Sequence, residues 1–238
     1  SESYLRLLKE CAADPLLGKH PAAQWNTAKF RGITNFRSKE TRPELGVLIE
    51  QYGLTSYFDA KGLHKNIYGL STGIFNIQAV CKLTLHTFSG ARRQEISSLP
   101  FFCLNEKTSG GKTHYLLVGH TTKLNNGRLK QTRWVTSREG TRAVHVMQKV
   151  ALCIYEMIGD VPKKPAKNGK AVKYLREHLL FVSHAYLKLT GRRLFKSGRK
   201  YRTAITNLSY TKELTSRLCP AIEEKDLREL EMIDPHRA

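Results

Sequence analysis

The hydrophobic period of this chain changes twice, and those changes restrict its fold more than any other feature. Ile74, Ile77, Cys81, Leu85 and Phe88 recur at helical spacing, and Gly90 follows as a stop. A second short helix, Arg93 to Leu99, is closed by Pro100. The pattern then becomes strand-like over Phe101 to Leu104, Tyr115 to Val118 and Gln131 to Thr136. Ser109-Gly110-Gly111 marks one turn and Asn126-Gly127 a hairpin. From Thr141 to Ile158 helical spacing returns through Val144, Met147, Ala151, Ile154, Tyr155 and Ile158, as a core helix covering the sheet would show. This order predicts an α+β fold, mainly helical, with a small three-stranded antiparallel sheet.

Outside this block the signals are weaker. Residues 1–70 carry short helical patterns, the best from Pro43 to Tyr52 with Gly53 as its stop, and read as a linker or N-terminal extension. The main domain is expected over 71–238. Within it, Pro162 to Lys173 reads as an exposed loop, Leu179-Leu180-Phe181-Val182 as a buried run, and Glu223 to Asp234 as an acidic helix. The chain opens on Ser, and Ile233 to Ala238 reads like the middle of a segment, so a piece of a longer protein is expected.

A hydrophobic content of 40% over 238 residues is enough for a sizeable core. Lys and Arg number 40 against 20 Asp and Glu, a net charge of +20 whose self-repulsion is rarely kept without a polyanionic partner. Nucleic acid is the expected partner, because acidic rather than basic side chains best serve solubility. Between Lys188 and Arg202, Arg192, Arg193, Lys196, Arg199 and Lys200 crowd around Phe195 and Tyr201, a pattern suited to a phosphate backbone. Membrane partners are not expected, since the longest apolar segments are broken by Lys, His or Asn. The five cysteines are scattered among apolar neighbours, as in a reducing compartment, and no spacing supports a metal site.

Two motifs carry chemistry. Ser89-Gly90-Ala91-Arg92-Arg93-Gln94-Glu95-Ile96 places an arginine just after a helix stop, with a carboxylate three residues later. A phosphate passing through a five-coordinate transition state gathers negative charge that a planar guanidinium can hold at two oxygens. Taken alone, Arg-x-x-Glu is also a common surface ion pair. The second motif is the hairpin His120-Thr121-Thr122-Lys123-Leu124-Asn125-Asn126-Gly127-Arg128. Lys123 alone reads as an edge-strand lysine that guards against aggregation.

Together the motifs resemble the first arginine box and the hairpin lysine of the tyrosine recombinases, the phage-type integrases, over about Ile74 to the C-terminus. The resemblance implies that Arg92 clamps the scissile phosphate, that Glu95 orients the guanidinium or its turn, and that Lys123 is the general acid for the departing 5′ oxygen. Lys130 is the nearest competitor for that role. Arg93, Arg128 and Lys130 would face DNA, as would the basic cluster above. The family further implies double-stranded DNA as partner, a 3′-phosphotyrosine intermediate, no metal or other cofactor, tetrameric synapsis and a bacterial, cytoplasmic, nucleoid-associated setting. The chain departs from the family in having no His-x-x-Arg box, and Tyr186, Tyr201 and Tyr210 precede the place where that box belongs. They read as core or DNA-facing aromatics, so the fragment alone is expected to bind DNA and cut none.

Two alternatives stay open on sequence: a non-catalytic nucleic-acid-binding module, and a type IB topoisomerase-like fragment. Other candidate sites fail. Gly110-Gly111-Lys112-Thr113 resembles the tail of a phosphate loop, but Glu106 stands where its first glycine belongs. His184 beside Val182 reads as a satisfied, partly buried histidine.

Overall fold

A computed structural model describes residues 2–13, 45–123, 128–163, 178–187, 189, 200–204 and 223–233, and every structural statement concerns these. The chain divides into two compact units, Ser1–Ile205 and Thr206–Ala238. In the first lie α1 (Glu2–Ala13), α2 (Leu45–Gln51), α3 (Thr55–Ala60), α4 (Ile67–Ser89), α5 (Arg93–Ser97), β1 (Leu104–Ser109), β2 (Lys112–Thr121), β3 (Lys130–Thr136), α6 (Arg138–Ile158) and a 3-10 turn, His184–Leu187. The second holds α7 (Glu224–Ile233), the acidic helix expected there. Its Arg228 bridges Glu224 one turn earlier at 3.1 Å. The fold is α+β, mainly helical, with a three-stranded antiparallel sheet in the order β1-β2-β3.

The long helix α4 is the spine. It starts further upstream than its apolar period shows, at Asn66, whose side chain accepts the Gly69 N–H at 3.0 Å and so caps the first turn. It ends at Gly90, in the left-handed region at φ +63°, where a residue with a Cβ would be strained. It packs against α6, and its buried Leu70, Ile74, Cys81 and Leu85 share one core cluster with Val144, Met147, Ala151 and Ile154 of that helix. Each fully buried Leu or Ile contributes about 1.5–3 kcal/mol of transfer free energy. Helix α6 touches β3 but packs chiefly on α4, so the helix expected to cover the sheet covers another helix instead.

Core packing does not divide at residue 70. Tyr4, Leu7, Leu8 and Cys11 of α1, Ile49 of α2 and Phe58 of α3 belong to the same hydrophobic cluster as α4 and α6. Close approach makes this possible: a Cβ on Gly73 would run into the Tyr4 hydroxyl oxygen. The described part of the expected extension is therefore a wall of the main body, and its polar breaks are turns between short amphipathic helices.

The sheet also differs from expectation at its first strand. Phe101 and Phe102 form a turn, and the Phe101 N–H donates to the His178 carbonyl at 2.9 Å. Phe101 and Cys103 are core residues. The apolar run thus anchors the sheet, while the strand itself is the polar Leu104–Ser109, specified by main-chain pairing with β2. Gly110 and Gly111, at φ +57° and +72°, make the two-residue turn that the sequence signals. Pairing of β2 with β3 runs from Tyr115 opposite Thr136 to Thr121 opposite Lys130.

Cys11, Cys81, Cys103 and Cys153 are buried free thiols. Burial pushes Cys81 and Cys103 up to about 12 and Cys153 up to about 11, which makes all three poor nucleophiles. No helix among the described residues is long and apolar enough to cross a membrane. Most of the Pro162 to Lys173 segment lies outside the described residues.

Candidate functional site

Arg92 stands two residues after the Gly90 stop and occupies the N-cap of α5 in extended conformation, φ −68° and ψ 155°. The chain has left one helix and not yet entered the next, so the side chain stands exposed at a corner. The corner is held from inside. Glu95, 9% exposed, accepts the Arg92 backbone N–H through Oε2 at 2.7 Å. Through Oε1 it accepts the Thr121 hydroxyl at 2.6 Å. Of the two roles expected for Glu95, holding the turn is the one this geometry displays.

Thr121 ends the paired part of β2. Its Oγ1 also accepts the backbone N–H of Lys123 at 3.0 Å. The sequence-expected residues Arg92, Glu95 and Lys123 are therefore joined by one string of hydrogen bonds running from the α5 turn to the hairpin. Arg92 and Lys123 are exposed at its two ends, and the carboxylate between them is buried.

The remaining expected residues separate into groups. Arg93 is exposed beside Arg92, and Arg128 and Lys130 are exposed on the returning arm of the hairpin. Lys130 stands directly opposite Thr121 in the ladder, and opposed residues share a face, so it flanks the same corner as Lys123. Leu124 to Gly127 lie outside the described residues, as do Arg192, Arg193, Lys196 and Arg199. Lys200 is described, and its ammonium pairs with Asp160 at 2.6 Å. Lys200, the Tyr201 hydroxyl and His178 together hold Asp160 well below the usual carboxylate range. Tyr201 is buried, and the Tyr186 hydroxyl accepts the Arg202 N–H at 2.9 Å, so both tyrosines act in packing and fold-holding. The His184 ring approaches the Gln78 carboxamide oxygen at 3.2 Å and meets Phe75 edge-on, the satisfied histidine expected there.

Sequence reasoning missed Thr121 and the polar row Gln78, Lys82 and His86, which recurs every four residues on α4. Gln78 is fully buried and donates to the Val182 carbonyl at 2.8 Å. Lys82, 5% exposed, donates to Ser97 Oγ at 2.6 Å under α5. Burial, with Arg93 nearby, lowers its pKa to about 8. The His86 Nδ1–H donates to the Ala91 carbonyl at 2.9 Å, and burial lowers its pKa despite that bond, with Lys82 and Arg93 adding to the effect. The available signal was the row itself, a polar stripe inside an otherwise apolar helix.

Among the described residues no group of three or more His, Cys, Asp or Glu side chains is placed to hold a metal ion. Comparison with protein-family models, with curated proteins and with solved structures finds no match for this chain.

Proposed function

We propose that the chain carries the first half of a tyrosine recombinase active site, with Arg92 clamping the scissile phosphate and Lys123 protonating the departing 5′ oxygen. The observation that supports this best is the string from Arg92 through Glu95 and Thr121 to Lys123. It links the only two motifs that the sequence marks as chemical, and it leaves their cations exposed at one corner. Phosphoryl transfer asks for little beyond positioning and charge stabilisation, and a guanidinium with a nearby ammonium supplies both. Double-stranded DNA is the substrate, the net charge of +20 its long-range attractor, and a tetramer on DNA the working assembly. The nucleophilic Tyr and the His-x-x-Arg box are expected in sequence downstream of Ala238.

The test is covalent capture on a nicked suicide duplex by the protein extended through its own reading frame. The extended protein should form a protein–DNA adduct, and Arg92→Ala should abolish it with binding nearly unchanged. Chain 1–238 should bind duplex DNA and form none. An adduct from the short chain, or equal capture by Arg92→Ala, refutes the assignment. Lys123→Ala and Lys130→Ala compared side by side decide which ammonium is the acid. Capture only by a protein that relaxes supercoils as a monomer would favour a type IB topoisomerase instead. Tight binding with no capture by any extended form would favour a non-catalytic module.

A further inference from the structure

We infer that Thr121 is a positioning residue that sets the hairpin lysine against the phosphate clamp, an inference that rests on the recombinase reading proposed above. Three observations carry it. The ladder between β2 and β3 ends at the pair Thr121 and Lys130, so the sheet no longer fixes the backbone where Lys123 sits. Beyond that last pair, the Lys123 N–H is bonded to Thr121 Oγ1. Finally, the hydroxyl donates its one hydrogen bond to Glu95, which also accepts the N–H of the Arg92 turn.

A backbone N–H only donates, so Arg92 and Lys123 are the donors at the two ends of this string. The Thr121 hydroxyl stands between them, donating to Glu95 and accepting from Lys123. Both bonds at Glu95 are short, 2.6 Å from the Thr121 hydroxyl and 2.7 Å from the Arg92 N–H. One hydroxyl thereby ties the end of the sheet to the start of α5. A transferring phosphate held at Arg92 then meets Lys123 at a fixed place, and small displacements of a catalytic group cost large factors in rate. Thr122, next along, is exposed and takes no part.

The variants are Thr121→Val, which keeps the shape and removes the hydroxyl, and Thr121→Ser, which restores it. In the extended protein, Thr121→Val should slow single-turnover strand cleavage by about tenfold or more, the worth of one well-placed hydrogen bond, with duplex affinity unchanged. Thr121→Ser should recover most of that rate. Replacing the bridging 5′ oxygen of the substrate by sulfur gives a leaving group that departs without a proton. Thr121→Val should cleave that substrate close to the wild-type rate, an outcome that simple loss of stability would not produce. Hydrogen exchange on chain 1–238 supplies a readout independent of catalysis: the Lys123 amide should lose about tenfold protection in Thr121→Val and keep it in Thr121→Ser. Wild-type cleavage rates in Thr121→Val, or a defect equally severe on the sulfur substrate, overturn the inference while leaving the recombinase assignment in place. A wild-type extended protein that cleaves neither substrate sinks the assignment itself, and Thr121's catalytic role with it. Unchanged amide protection in Thr121→Val overturns the string directly.

Discussion

Replacing Lys82 with Met gives the sharpest energetic test of how the Arg92 turn is built. The ammonium is 5% exposed, lies between α4 and α5, and donates to Ser97 Oγ. Burial above all, then Arg93, brings its pKa from 10.5 to about 8. Between those values the unfolded chain holds more protons than the native state, so stability must rise with pH across the window. Checked at its limits, the lysine's contribution is most favourable above 10.5, is lost as pH falls toward about 8, and is flat below that. For one group with these two pKa values the gain is about 1 kcal/mol from pH 7 to 9 and about 2 kcal/mol from pH 7 to 10. Urea unfolding of wild type and Lys82→Met at each pH measures it, because titrations common to both proteins cancel in the difference. The variant should be closest to wild type, or most stabilised relative to it, at pH 7, and wild type should gain on it steadily toward pH 10. A constant offset from pH 7 to 10 would refute a buried, proton-shedding Lys82.

Gly73→Ala should destabilise the chain by about 1–3 kcal/mol in urea unfolding, since the new methyl meets the Tyr4 hydroxyl where that side chain packs on α4. An unchanged midpoint would mean that α1 does not dock there. Glu95→Ala leaves the Arg92 N–H and the Thr121 hydroxyl without their acceptor and should cost about 2 kcal/mol or more. In the extended protein the same change should also depress strand cleavage more than DNA binding, and an equal loss of both would show that Glu95 serves the fold alone.

Legibility in the sequence followed the kind of force at work. Elements held by a strong local period and a stop residue were visible: α4 with Gly90, α6 through its apolar row, and the turn at Gly110-Gly111. Elements specified by pairing or docking were not. The strand Leu104–Ser109 is polar and exposed, and only its hydrogen bonds to β2 make it a strand. Its apolar neighbour Phe101 attracted the strand assignment because a core anchor and a buried strand look alike over four residues. Likewise α1 shows four buried residues at helical spacing, but nothing local says that they pack into the shared core beside α6. At the site, Arg92, Glu95 and Lys123 were legible as motifs. Thr121 was not, because a threonine in a strand is ordinary until a carboxylate distant in sequence accepts its hydrogen bond.

The same geometry bears on why Arg-x-x-Glu here is more than a surface ion pair. An exposed pair of that spacing contributes little and would place the carboxylate against the guanidinium in solvent. Glu95 instead is buried, and its two oxygens take a backbone N–H and a hydroxyl. An anchor of that kind fixes where Arg92 sits while using none of the five guanidinium donors, which is what a clamp for two phosphate oxygens requires. Lys123 is held in the same manner, by its backbone N–H rather than its ammonium. Both cations are therefore positioned through the main chain from a single buried carboxylate, and both heads remain on the solvent side where a DNA backbone could reach them. A surface ion pair would hold them the other way round, by their charges, and would leave nothing for a phosphate.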